Sequence, residues 1–235
     1  MSQQAPSRSP GAPATLLRRA AAALAALLAV ALLPLVRAVA ADDAAPGSLD
    51  RYLPATAPER LSYRLSGSLR ATVVLRLATR GITAGVLTLS LERVDAPAGS
   101  AVLPFGLSGG TVRVDGDTVV RTAEGGTVRD LVGPPTPGRT WSDTRHVSAA
   151  GGAGTTFTVT EQRTLLGPAA LDEPAGHLGR CLVVAVVSTA AVAQGGGTTS
   201  AAGTLWYCDG VGLARAVLRG GGAGDTVDLV SVSRS

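Results

Sequence analysis

From Arg60 onward, apolar and polar residues alternate along the chain. Val86-Leu87-Thr88-Leu89-Ser90-Leu91-Glu92 and Leu75-Arg76-Leu77 show the pattern most plainly. A period of two marks strands whose sheet has one buried and one wet face. Strand-like runs follow one another over 61–68, 71–79, 85–95, 111–116, 118–123 and 127–132, separated by Gly, Pro and Asp turns. After the N-terminal region only Arg163 to Leu171 leaves room for a short helical turn. The pattern predicts a mainly β, mostly antiparallel domain.

Two further β-rich runs, GRCLVVAVVST from Gly179 and AAGTLWYCDGVGLARAVL from Ala201, flank a glycine-rich connection. A hairpin centred near Gln194 and Gly195 sets Cys181 and Cys208 on facing strands within bridging distance. Phrases of the first half also return after GPPTPG at 133–138. Tyr63 behind Glu59-Arg60 is echoed by Trp141 behind Gly138-Arg139. Pro97-Ala98-Gly99 returns as Pro174-Ala175-Gly176, Asp115-Gly116 as Asp209-Gly210, and Thr127-Val128 as Thr226-Val227. The echoes suggest internal repeats over 59–133 and 137–235 that share one core.

Residues 1–15 are polar and Pro/Ser-rich, and are expected to be disordered. Arg18 and Arg19 then precede an apolar run from Ala20 to Val36, and Ala38-Val39-Ala40 follows. A basic start, an apolar centre and an A-x-A site make a secretory signal over 16–40, with cleavage expected after Ala40. The alternative is a retained anchor, because the run sits at the short limit for spanning a bilayer. Both readings export the body, to the periplasm or cell envelope or as a secreted protein. Residues 41–58 read as a linker, and 59–235 as a single β-rich domain.

Export sharpens the cysteine reading. In an oxidising compartment Cys181 and Cys208 form a structural disulfide, with two buried free thiols as the alternative; C-x-x-C redox spacing is absent. Composition changes the picture less. The chain is 46% hydrophobic but 3% aromatic, so Val, Leu and Ala must build the core. All 21 basic residues are arginines. Four of them (Arg8, Arg18, Arg19, Arg37) precede Ala41, which leaves 17 against the 17 carboxylates, all of which follow it. A neutral body without a basic stripe argues against nucleic acid as a partner.

Pro137-Gly138-x-x-Trp141, Glu173-Pro174-Ala175-Gly176-x-Leu178-x-x-Cys181-Leu182-Val183-Val184 and Trp206-Tyr207-x-Asp209-Gly210-Val211-Gly212-Leu213-Ala214-Arg215 together resemble the exported bacterial TapB-like domain family. The resemblance covers about 80 residues, mainly 137–216, and is most specific in its last part. It implies a strongly curved antiparallel sheet that makes a lipoprotein-carrier-like half-barrel with an apolar concave face, and carries no agreed activity. Cys208 departs from the small residue or proline usual at its position, which suits a bridge to Cys181.

Candidate chemistry is sparse. Gly106-Leu107-Ser108-Gly109-Gly110 has the letters of a nucleophile elbow, but an alternating strand follows it where that motif needs a helix. It reads as a glycine-rich turn. His146 and His177 lack metal-site spacing, and an enzyme would need them to converge with a carboxylate in a cleft. Asp115, Asp117, Glu161 and Asp209 are the carboxylates a glycosidase-like pair would draw on. The expectation is therefore a protein that is not an enzyme and needs no cofactor or metal. It would bind a hydrophobic or lipid-like ligand or an envelope partner, touching the membrane only through 20–36 if that run is retained. The alternative is a membrane-anchored structural or interaction domain without a pocket, and a hydrolase comes third. Trp141, Trp206 and Tyr207 are the candidate ligand contacts, although both tryptophans also suit core positions with the indole N–H on a backbone carbonyl. Gly210, Gly212, Pro174 and Gly176 are expected to shape turns.

Overall fold

The computed structural model describes residues 48–55, 59–67, 70–95, 107, 109–123, 126–148, 156–192, 197–220 and 223–234. Among the described residues, twelve antiparallel strands form one sheet. They are β1 (Glu59–Ser66), β2 (Ala71–Thr83), β3 (Val86–Asp95), β4 (Gly110–Asp115), β5 (Thr118–Ala123), β6 (Gly126–Val132), β7 (Thr140–Ser148), β8 (Thr156–Glu173), β9 (Gly176–Val192), β10 (Thr198–Cys208), β11 (Gly212–Gly220) and β12 (Ala223–Arg234). Apart from β6 and β7, each strand pairs with its neighbours in the chain, and β12 pairs with β1. The ladder is interrupted between β6 and β7, where 133–139 connect them. The half-barrel expectation is thus surpassed by a nearly closed barrel with a single seam.

The period of two explains which way each strand faces. On β1 Leu61, Tyr63 and Leu65 are buried while Arg60 and Arg64 are exposed. Leu61 lies opposite Leu75 and Tyr63 opposite Val73 on β2, and Leu87 and Leu89 of β3 continue the inward face. Cross-strand pairs of this kind fix register, because a slip of one residue would turn every leucine to water. Tyr63 keeps its hydroxyl satisfied by donating to the Leu213 carbonyl of β11 at 2.8 Å.

Arg163 to Leu171, where a short helical turn had room, lies within β8 instead. Pairing with β9 from Phe157 to Glu173 overrides local preference, at the cost of register shifts at Leu165/Gly167 and Ala169/Leu171. The sequence echoes fall on β1 and β7, on the β4–β5 and β10–β11 turns, and on β6 and β12. Pro97-Ala98-Gly99 lies outside the described residues, as do the apolar run 20–36 and the serine of the G-x-S-x-G phrase.

Part of the stretch read as linker is packed rather than free. A 3-10 turn at Leu49–Tyr52 buries Leu49 and Tyr52, and Leu53 follows them into the core. The Gly210 N–H donates to the Arg51 carbonyl and the Ala55 N–H to the Gly210 carbonyl, at 2.7 and 3.1 Å. Arg51 Nη2 reaches Asp209 Oδ2 at 2.9 Å. This strap closes the barrel end formed by the β4–β5, β6–β7 and β10–β11 connections. A Cβ at Gly212, where φ is +87°, would meet the Pro54 ring at 3.2 Å. Glycine there permits both the backbone conformation and the close approach.

Candidate functional site

Just inside the strap lies a cavity of about 50 Å³. Its walls are apolar: Leu53 and Pro54 of the strap, Leu61, Leu75 and Leu89 of the sheet, and Leu107. Tyr207, Arg121 and Asp130 supply its polar side. The volume admits a few waters and is well below the roughly 300 Å³ at which small-molecule pockets begin.

The polar wall belongs to a charged lattice across the seam. Arg121 of β5 grips both oxygens of Asp130 of β6, Nε to Oδ2 at 2.8 Å and Nη2 to Oδ1 at 3.0 Å. From β8, Arg163 donates to Asp130 Oδ1 at 3.0 Å, to the Arg129 carbonyl at 3.1 Å and to Glu161 Oε2 at 2.8 Å. Arg145 of β7 completes the Glu161 carboxylate at 2.8 Å. Arg163 is 1% exposed, and a charge this deeply buried persists only with such partners.

Electrostatics follow the geometry. Burial opposes ionisation of Asp130, but Arg121 and Arg163 outweigh it and hold the carboxyl below its ordinary range. Glu161 is lowered in the same way, burial being overcome by Arg163 and Arg145. Burial works against the Arg163 charge too, yet Tyr207, Asp130 and Glu161 keep the guanidinium more firmly protonated than usual. Burial, with Asp130 beside it, pushes the Tyr207 phenol upward. These groups are committed to one another in a way that suits holding a shape rather than proton transfer.

The candidate contact residues fall in three different environments. Trp141, 7% exposed, sits at the seam with Nε1 donating to the Arg129 carbonyl at 2.8 Å. Tyr207 faces the cavity. Trp206 lies on the outer face of the sheet beside Arg215, whose Cζ is 5.9 Å from the ring centroid. Gly176, Gly210 and Gly212 all take positive φ, and Pro174 opens the β8–β9 turn. Cys181 and Cys208 are register partners on β9 and β10 and are joined by a disulfide.

The other candidates pair locally. His146 Nδ1 is 3.2 Å from the Thr158 hydroxyl, and His177 Nδ1 is 2.7 Å from Asp172. Asp115 pairs with Arg113, and Asp209 with Arg51 and Arg180. Among the described residues, no cluster of three or more His, Cys, Asp or Glu side chains could hold a metal ion, and no helix is long and apolar enough to cross a membrane.

Sequence reasoning missed Arg163, Asp130 and the strap. The signal for the first two was present: Arg163 is in phase with inward Leu165, and Asp130 with inward Val128. Two opposite charges on inward phases of separate strands mark a buried pair.

No family model matches the chain, and no curated protein matches it in sequence. Solved structures do. A candidate lipoprotein of Parabacteroides distasonis superposes with a TM-score of 0.61 at 10% identity, over 77% of this chain and 98% of its own. A candidate exported protein with a YmcC-like fold from Bacteroides fragilis gives 0.50 at 11% identity, over 77% and 98%. The chain shares their fold. At these identities the likeness concerns the barrel alone, and the strap, seam and cavity must be argued from this chain's own residues.

Proposed function

We propose that this protein is a non-catalytic, exported cell-envelope domain of the TapB-like kind, and that its barrel receives a hydrophobic or lipid-like group at the strapped end. The observation carrying this reading is the leucine-lined cavity roofed by Leu53 and Pro54, with Arg121, Asp130 and Tyr207 on its inner wall. An apolar sleeve with a few fixed polar groups is the usual chemistry of a ligand site. The existing volume is too small for an acyl chain, so binding requires Leu53 and Pro54 to withdraw and the ligand to take their place. The strap is suited to that exchange. Its polar ties to the barrel include two backbone hydrogen bonds and the partly exposed Arg51–Asp209 pair, each a modest contribution. Export is supported by the signal-like N-terminus, and the neutral body gives no purchase to nucleic acid.

A second reading, a structural or interaction domain whose interior is permanently filled, is favoured by the small volume itself. Native mass spectrometry of protein purified gently from its own envelope separates the two. A stoichiometric adduct of lipid mass, lost when the protein is denatured, supports the binding reading. A bare chain that also takes up no fatty-acid probe on incubation would leave the structural reading standing.

A further inference from the structure

Register partners share a face of the sheet, and one outward row crosses five strands. Arg64 of β1 lies opposite Asp228 of β12, Asp228 opposite Arg215 of β11, Arg215 opposite Trp206 of β10, and Trp206 opposite Val183 of β9. An outward row should be wet, but Val183 is fully buried. The tip of the β8–β9 hairpin, residues 167–180, lies over this row. Its Glu173 carboxylate comes within 3.5 Å of Arg215 Nε. Its Leu171 is buried, and its Ala175 and Leu178 pack on the core cluster together with Trp206.

The hairpin is shaped to fold there. Gly167, at a register shift in the β8–β9 ladder, has φ of +133°, a conformation that side-chain-bearing residues rarely adopt. Register shifts flank it at Leu165/Gly167 and Ala169/Leu171. Below this joint the Cys181–Cys208 bond ties β9 to β10, so the base is fixed while the tip is held by its underside.

That underside is electrostatically unbalanced. The Glu173 side chain is 1% exposed and that of Asp228 12%. The two carboxylates share Arg215, whose Nε stands 3.5 Å from one and 3.3 Å from the other. Among the described residues, Glu173 Oε1, Asp228 Oδ1 and Arg215 Nε make no hydrogen bond. Arg64 Nη2, mostly exposed, stands 3.8 Å from Asp228 and favours the ionised form of Glu173 from farther off. On the tip itself Asp172 and His177 pair with each other in solvent, and Arg180 of β9 is engaged with Asp209. With both carboxylates ionised, the contact holds two anions for one close cation. With Glu173 neutral, it holds a balanced Arg215–Asp228 pair.

We propose that residues 167–180 form a proton-controlled flap: closed over Trp206, Val183 and Arg215 while Glu173 carries its proton, and lifted from the outer face when the proton leaves. In keeping with that geometry, burial pushes the Glu173 carboxyl up to about 7, against the opposing pull of Arg215 and, more weakly, of Arg64, with a smaller push from Asp228. Ionisation therefore falls near neutrality. Deprotonation puts an excess charge where water is excluded, and that cost is relieved by rotation at Gly167. Lifting uncovers an apolar strip with a cation at its edge, at a site separate from the strapped cavity.

Residue-resolved hydroxyl-radical footprinting of the full chain tests this, with Trp141 at the seam as internal reference. Between about pH 5.5 and about pH 8.5, modification of Trp206 relative to Trp141 should rise roughly threefold or more in the native protein. In Glu173→Gln, which keeps shape and hydrogen-bonding capacity without the charge, the ratio should stay at its low-pH value throughout. A flat ratio in the native protein overturns the proposal, and so does a Glu173→Gln variant that responds as the native protein does. Neither result bears on lipid uptake at the strapped end.

Discussion

The indole Nε1 of Trp141 on β7 donates to the carbonyl of Arg129 on β6 at 2.8 Å, across the one place where neighbouring strands share no ladder. The same carbonyl accepts from Arg163 at 3.1 Å, while the Arg129 N–H donates to Asp143 at 3.1 Å. The backbone groups of Arg129 on the edge strand β6 are therefore occupied by side chains of β7 and β8 across the seam. These contacts bridge the two edges and occupy backbone groups of β6 that another chain would need for pairing.

Removing the indole donor leaves that carbonyl one partner, so Trp141→Phe should lower stability by about 1–2 kcal/mol. Arg163→Met should cost more, about 3–5 kcal/mol, because it strips a cation from Asp130 and Glu161 at once. Urea unfolding of both variants checks the order. If Arg163→Met proved the milder change, side-chain closure of the seam would be the wrong account.

The Cys181–Cys208 bond spans a sequence separation of 27. Chain-entropy reasoning gives it a contribution of about 3–4 kcal/mol. Unfolding midpoints with and without a reductant, or in the Cys181→Ala/Cys208→Ala double variant, should differ accordingly. No difference would mean that the β9–β10 ladder already restricts the unfolded chain.

Leu53 of the strap is 5% exposed and lines the cavity. Leu53→Ala should cost about 2–5 kcal/mol if the strap stays in place, whereas Arg51→Ala, which removes a partly exposed pair, should cost under about 1 kcal/mol. Under the binding reading, Leu53→Ala also enlarges the cavity and should take up a fluorescent fatty acid more tightly than the native chain. Unchanged uptake would count against ligand entry at this end.

Stability should pass through a maximum on the acid side of neutrality. Asp130 and Glu161 are held below their ordinary 3.8 and 4.5, so their contribution is present above those values and is lost as pH falls through the lower folded ones. Glu173 runs the other way. Raised from 4.5 to about 7, it retains in the folded state a proton that the unfolded chain has released, so stability declines as pH climbs across that interval. Unfolding midpoints measured from about pH 3 to about pH 8 should show both limbs, with Glu173→Gln removing the upper one. An upper limb that survives in Glu173→Gln belongs to another group.

Much of the barrel was legible because one force wrote it. Alternation in Leu61-Ser62-Tyr63-Arg64-Leu65 or Leu87-Thr88-Leu89 states strand, face and register together, and nearest-neighbour antiparallel pairing follows from short turns such as Asp115-Gly116-Asp117. The Cys181 and Cys208 pairing was legible for the same reason, since two positions equidistant from a hairpin turn must meet. The burial of Leu49, Tyr52 and Leu53 was not legible. Their stretch is aperiodic and proline-bearing, and only a barrel mouth of matching shape gives them a place.

The sequence by itself determined that this chain makes an antiparallel sheet with a leucine and valine interior, because a period of two and the burial of apolar area are local and additive. The tertiary structure alone decided how that sheet ends. Closure at β6 and β7, the strap across one mouth and the fold-back of residues 167–180 all depend on charges such as Arg163, Asp130 and Glu173 meeting partners from distant strands. A charge leaves water only where three-dimensional geometry supplies its counterpart, and no linear pattern carries that information.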